Sequence, residues 1–251
     1  MSWFRHGLWA LLAVASCSAA PPPSPTPSLT PSALARQAQA DQCTLPARLP
    51  DLPPVRPDGP ARKVPVAGYT LAISWSPEYC RNDHDPASMQ CSGRNGRFGF
   101  ILHGLWPEAA VGPPPQWCAL TPRPSADVYT RTLCTTPVPG LIEHEWAKHG
   151  SCIAATPEAY WALARHIWNR FRWPDAYALS RRRGLVVGDL RQQIVAANAG
   201  LKPEYIGVLL SANGWLRELR ICHDRAFHPA ECDRAAYGPP DTAPLKIWRG
   251  R

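Results

Sequence analysis

Nowhere in the 251-residue chain do two cysteines form a Cys-x-x-Cys pair, the spacing on which many structural zinc sites are built. No His-Glu-x-x-His segment occurs, which removes the helix of the zinc proteases. Paired aspartates and further histidines at metal-ligand spacing are missing as well, so a metal phosphoesterase ranks last among the candidate activities. No internal repeat is found, and strands and helices do not alternate as regular βαβ units, which leaves α+β as the fold class. Acidic side chains are the minority, 19 Asp and Glu against 27 Lys and Arg, for a formal net charge of +8. That balance favours polyanionic partners without separating nucleic acid from an anionic membrane surface.

Long apolar runs are also lacking, apart from one at the start. Arg5 and His6 precede Leu8 to Ser16, a run too short to span a bilayer that fits the core of an export signal. Val14-Ala15-Ser16-Cys17 resembles the lipobox of bacterial lipoproteins, in which the cysteine becomes the lipidated first residue. Cleavage at Ala13-Val14-Ala15 without lipidation is the competing reading. Of nine cysteines, removing Cys17 leaves eight, an even number that suits four bridges in an oxidising compartment. Residues 1–17 therefore read as a signal peptide with a lipobox, 18–65 as a Pro-rich tether and 66–251 as one domain. The tether is dominated by Pro, Ala, Ser and Thr, a composition that buries too little apolar surface to offset its ordering entropy. Cys43 interrupts it and would staple its later part to the domain.

Within the domain, Tyr69 to Trp75 alternates and is rich in strand formers, ending at Ser76-Pro77. Phe98 to Leu105 is mostly apolar and is expected as a central strand. A helix is expected from Thr156, with Thr as N-cap and Pro157 in the first turn. Its apolar set, Tyr160, Leu163, Ala164, Ile167, Trp168 and Phe171, recurs at helical spacing, and it stops before Pro174. A second helix runs from Asp189 to about Asn198, closed by Gly200 and Pro203. Trp215 to Cys222 reads as a late strand.

Two segments concentrate the chemistry and hold three of the seven histidines downstream of residue 17. One is Phe100-Ile101-Leu102-His103-Gly104-Leu105-Trp106-Pro107. The other is Glu143-His144-Glu145-Trp146-Ala147-Lys148-His149-Gly150-Ser151-Cys152. His144 and His149 are five apart, about 140° around a helix, and so share no metal face. His144 with Lys148, and Glu145 with His149, are each four apart and share a face. RNA carries its own nucleophile, the 2′-hydroxyl, and its cleavage needs one base and one acid. Imidazole serves either role near neutral pH, and a lysine or imidazolium would stabilise the anionic transition state. These parts alone do not prove RNA, because a phosphodiesterase or an acyl transferase uses similar groups.

Both segments resemble the two active-site blocks of the ribonuclease T2 family. Leu71 to Cys80 is similar to that family's first strand and turn, and Glu218-Leu219-Arg220-Ile221-Cys222 with Cys232 to its C-terminal strand and bridged turn. The resemblance runs from about Tyr69 to Asp233. It implies a disulfide-stapled α+β fold in which a central antiparallel sheet is flanked by helices. It also implies an endoribonuclease that uses neither cofactor nor metal. Single-stranded RNA would be cleaved to a 2′,3′-cyclic phosphate, which is hydrolysed more slowly to a 3′-phosphate, and DNA would be inert. His149 would be the base and His103 the acid, with His144 binding phosphate and Glu145 and Lys148 stabilising the transition state. Trp106 would form a base-binding wall beside Glu108, where relatives often carry a shorter acidic or amide residue, so base preference stays open.

For the bridges, the family suggests Cys222–Cys232 and a partner for Cys152 upstream of its block, with Cys134 the nearer candidate. Cys80–Cys91 would be a short clasp, which leaves Cys43–Cys118. His84, His166, His223 and His228 match no active-site block. Trp146 is expected to pack beneath the site, and Gly104 and Gly150 to answer backbone requirements. The run Arg181-Arg182-Arg183 reads as a solvated loop ahead of a phosphate-facing patch. The chain is expected to act as a monomer in the bacterial cell envelope or as a secreted protein, touching a membrane only through the lipid anchor. The alternative function is a catalytically silent RNA-binding or signalling protein on the same scaffold.

Overall fold

The structure, a computed structural model, describes residues 42–81 and 85–250 besides Met1. The signal segment, Cys17 and His84 lie outside the described residues. In chain order the elements are β1 (Val66–Trp75), α1 (Ser76–Arg81), β2 (Phe100–Ala109), α2 (Ala126–Thr132), α3 (Pro139–Lys148) and α4 (Pro157–Arg170). They continue with α5 (Ala176–Leu179), α6 (Val187–Ala197), β3 (Ile206–Leu210), β4 (Leu216–His223) and α7 (Arg234–Tyr237). The four strands form one sheet in the order β2-β1-β4-β3, every neighbouring pair antiparallel. Among the described residues no helix is long and apolar enough to cross a membrane.

Alternation along β1 and β4, continued by the edge strand β3, builds the core. Leu71, Ile73 and Trp75 of β1, Leu219 and Ile221 of β4, and Ile206 and Val208 of β3 are all buried in one apolar cluster. The helices complete it with Tyr160, Trp161, Ala164 and Ile167 from α4 and Leu190 and Ile194 from α6. Each fully buried Leu or Ile removes enough apolar surface to stabilise the fold by roughly 1.5–3 kcal/mol. The start of α4 shows the local logic: Thr156 Oγ1 accepts the Ala159 N–H at 3.2 Å, and Pro157 fills the first turn. α6 begins two residues before Asp189, whose carboxylate accepts the Val186 N–H at 3.0 Å. Gly200 past its end has φ +82°, a conformation that suits glycine.

β2 departs from expectation. Its apolar run suggested a central strand, yet it lies at the sheet edge. Burial comes instead from α3 and α4, which pack against it, while the turn after α2 closes its open side. Leu102 N–H donates to Thr135 O at 2.9 Å, and the Thr136 hydroxyl donates to Leu102 O at 2.6 Å. A covered edge satisfies the backbone as a neighbouring strand would.

The four bridges are Cys43–Cys134, Cys80–Cys91, Cys118–Cys152 and Cys222–Cys232. Two expected pairings, Cys134–Cys152 and Cys43–Cys118, therefore exchange partners. The reason is the 116–118 loop, which lies along the end of α3. Trp117 N–H donates to Lys148 O at 2.8 Å, and Cys118 N–H to Ser151 Oγ at 3.1 Å, setting Cys118 beside Cys152. Cys43 is carried to Cys134 by the segment before β1. That segment is held to the domain by Thr44 N–H on Asn95 O, an Arg62–Gln116 backbone pair, and Arg123 on Leu52 O at 2.6 Å.

Candidate active site

His103 stands at a break in register. Ala72 faces Gly104 and Ile73 faces Leu102, so His103 is the extra residue of a β-bulge, the device that re-aims a side chain out of a strand's alternation. Its ring meets three partners. Nε2 lies 3.4 Å from Glu145 Oε1, and Nδ1 lies 3.3 Å from Glu218 Oε2 and 2.9 Å from Ser74 Oγ. Ser74 and Glu218 face each other across β1 and β4, so the sheet itself delivers the Nδ1 side of this cage.

Glu145, on α3, is 2% exposed. Its four-residue spacing from His149 puts it within electrostatic reach of that imidazole, as expected, and its carboxylate also turns onto β2. Gly104 makes this possible, because a Cβ there would overlap the Glu145 carboxylate. Trp106 Nε1 donates to Glu145 Oε2 at 2.7 Å. The same indole stands edge-on to His103 and at a tilt to His149, with ring centroids 5.3 and 5.4 Å away. Trp106 thus lies between the two imidazoles, and the Arg220 guanidinium sits 5.2 Å from its ring centre. Gly150 allows the turn after His149, since a Cβ would run into Trp146 and Tyr160.

The two histidines are driven in opposite directions. Burial would strip the proton from His103, but the Glu145 and Glu218 carboxylates override it and push the ring up to about 10. Burial lowers His149 to about 4, only partly opposed by Glu145, while Lys148, His144 and His103 repel added charge. Its Nδ1 is buried without a hydrogen-bond partner among the described residues. Near neutral pH, His103 is an imidazolium and His149 a neutral imidazole. Glu145 and Glu218 would be raised by burial, but the charge on His103 holds both below the ordinary carboxylate range.

His144 and Lys148 share the next face of α3, as their spacing requires. Both converge on Asp58, with Lys148 Nζ 2.6 Å and His144 Nε2 3.9 Å from its Oδ2. Trp117 Nε1 donates to the other Asp58 oxygen at 3.2 Å and stands edge-on to His144. Its φ of 53° is a left-handed conformation that a tryptophan rarely adopts. The Lys148 hydrogen bond holds Asp58 below the ordinary carboxylate range. Glu108 is not part of this cluster. It lies further along β2, raised by burial and bonded to Thr70, with Arg220 the link back towards Trp106.

The sequence reading did not single out Ser74, Glu218, Arg220 or Asp58 as site residues. The first three had a usable signal: strand alternation puts residues 218, 220 and 222 on one face, and an antiparallel partner would bring Ser74 opposite Glu218. Asp58 had none, because its placement depends on contacts across more than fifty residues. His223 is buried against Phe171, and the exposed His228 pairs with Asp224. Neither joins the site. Among the described residues no group of three or more His, Cys, Asp or Glu side chains is placed to hold a metal ion.

The antiparallel sheet and α3 thus bring a histidine caged by two carboxylates beside a buried histidine, with Lys148 on the next face of the helix, a geometry of the kind acid–base chemistry uses. Residues 67–232 match the Ribonuclease T2 family, and the chain belongs to it. A probable ribonuclease of Haemophilus influenzae is 33% identical over 186 residues, 69% of this chain and 64% of that protein. Ribonuclease I of Escherichia coli is 28% identical over 131 residues, 37% of this chain and 49% of that one. The chain thus spans about half to two-thirds of the length of these curated relatives. Among solved structures, an RNase-related protein from Calystegia sepium superposes with a TM-score of 0.57 at 19% identity, covering 72% of this chain and 97% of that one. RNase NT, solved with 5′-AMP, gives 0.56 at 18% identity, covering 73% and 98%. At these identities the superpositions speak to the fold.

Proposed function

We propose that the chain is an endoribonuclease that cleaves single-stranded RNA without a metal, through a 2′,3′-cyclic phosphate. One observation carries the reading: two imidazoles flank Trp106, His103 held between the Glu145 and Glu218 carboxylates and His149 buried with its Nδ1 unpartnered among the described residues. Neutral His149 takes the proton of the 2′-hydroxyl, whose oxygen attacks phosphorus. The P–O5′ bond breaks, and the imidazolium of His103 protonates the departing 5′-oxygen. The products are a 2′,3′-cyclic phosphate and a 5′-hydroxyl. In the slower second step the roles reverse, with His103 activating water and His149 protonating the 2′-oxygen to leave a 3′-phosphate. Lys148 offers positive charge to the phosphorane-like transition state, His144 binds the phosphate, and Glu145 keeps His103 protonated. Trp106 and Glu108 are the candidate base contacts. The four bridges support an oxidising, exported setting, with lipidation at Cys17 as the proposed anchor.

The test is digestion of a mixed-sequence RNA oligonucleotide in excess EDTA, with mass analysis of the ends. Cyclic phosphate ends are expected. His149→Ala is expected to lower kcat/KM by about 10²–10⁴, the usual share of one acid–base group. No cleavage between pH 4 and 8 with all bridges intact would overturn the proposal and favour a silent RNA-binding or signalling role.

A further inference from the structure

The C-terminal segment lines a cavity that is separate from the histidine cluster. A cavity of about 510 Å³ opens between residues 244–250 and the turn before β4, bordered by Trp215, Trp248, Arg182, Lys246 and Arg249. Among the described residues that line it, none is acidic. The two indoles stand edge to face with centroids 5.8 Å apart. Arg81 reaches over both rings, 4.4 and 4.7 Å from their centres, and Lys246 Nζ lies 5.7 Å from Trp215.

Two of the cations have partners of their own: Arg182 pairs with Asp189 at 3.3 Å, and Lys246 Nζ donates to Asn213 O at 3.1 Å. The segment is already fastened by Trp75 Nε1 on Trp248 O at 2.7 Å, and by Leu216 N–H on Lys246 O and Lys246 N–H on Gly214 O. Yet both indoles remain partly exposed among cations. Partly exposed tryptophans interleaved with Lys and Arg are what a single strand needs, rings for base faces and cations for phosphates. The cavity is also close to the reacting groups along the chain. Trp215 precedes Glu218 by three residues, about 10 Å of strand, and Trp248 O is bonded to the neighbour of Ser74. Glu218 and Ser74 both touch His103.

We infer that this cavity is an accessory subsite for single-stranded RNA, in which Trp215 and Trp248 stack bases while Arg182, Lys246 and Arg249 meet phosphates on the strand beyond the cleaved bond. The inference rests on the ribonuclease reading for its substrate, and its test separates the two. A fluorescently labelled twelve-residue oligothymidylate, which lacks the 2′-nucleophile, is titrated into the full chain and into two variants, Trp248→Ala and Lys246→Glu/Arg249→Glu. Anisotropy is expected to show binding weakened about fivefold or more in each, the scale of one lost stacking contact. With RNA, the variants are expected to raise KM for a twelve-residue substrate while leaving its kcat, and both constants for a dinucleotide, unchanged. Unaltered affinity for the oligothymidylate in the charge-reversal variant would overturn the subsite, as would equal losses on the dinucleotide. A wild-type chain that binds the oligothymidylate but cuts no RNA would instead sink the ribonuclease reading and leave the binding comparison intact.

Discussion

Glu218 shows how much of the proposed chemistry depends on one residue outside the two histidine segments. It holds the Nδ1 side of His103 at 3.3 Å, opposite the face that Glu145 occupies, so the imidazole lies between two carboxylates. For the free protein, kcat/KM against pH then has an acid limb where His149 gains its proton, near 4, and an alkaline limb where His103 loses its own, near 10. Glu218→Gln keeps a group able to hydrogen bond Nδ1 and removes the negative charge. Losing the charge makes the imidazolium less favourable, so the alkaline limb is expected to move to lower pH by about one unit, while the acid limb stays in place. A pH–rate profile checks this. An unmoved alkaline limb would mean that Glu218 shapes the strand without tuning His103.

At the scale of elements, the segment before β1 is the part that changes the picture of the site. Residues 42–65 make an extended strap, bridged at Cys43–Cys134 and paired at Arg62 with Gln116, and they carry Asp58 onto Lys148 and His144. On the proposed mechanism, the Asp58 carboxylate competes with the scissile phosphate for Lys148 and His144. Asp58→Asn is therefore expected to lower KM for RNA about threefold, on the order of 0.7 kcal/mol from the handicap of one partly exposed ion pair, with kcat little changed. A higher KM in steady-state kinetics would mean that Asp58 orients Lys148 for the substrate. The sequence was read well where the signal was local. β1, β4 and α4 follow from alternation, caps and helical spacing, and the two histidine blocks came from the family resemblance. It was read poorly where placement depends on distant partners. The apolar run of β2 does not say that helices and a turn replace a second neighbouring strand, cysteine spacing does not say that the 116–118 loop lies on α3, and the five residues of β3, Ile206–Leu210, are too few and too uniformly apolar to show a strand period.

For the whole molecule, the same buried groups set how stability varies with pH. His149 and His223 both fall to about 4 in the folded chain, chiefly through burial, against 6.5 ordinarily. Between 6.5 and 4 the unfolded chain takes up protons that the folded chain refuses, so stability declines as pH falls through that window, and the loss is complete below it. For His223, 4% exposed, the full loss is roughly 3 kcal/mol at 1.36 kcal/mol per pH unit. The ion-paired carboxylates Glu145, Glu218 and Asp58 act in the same direction, since their lowered pKa values contribute stability that disappears as they are protonated. The net charge of +8 grows in acid and adds self-repulsion. His103 acts oppositely: raised to about 10, it contributes fully below 6.5, and that contribution is lost as pH rises towards 10. The two slopes meet near neutrality, so urea midpoints measured from pH 4 to 9 are expected to peak between 6 and 7. His223→Leu should flatten the acid arm alone, and Glu218→Gln should ease the alkaline one. A wild-type maximum at pH 4–5 would contradict the burial of His223 as a neutral ring, because a charged imidazole there is what such a maximum would require.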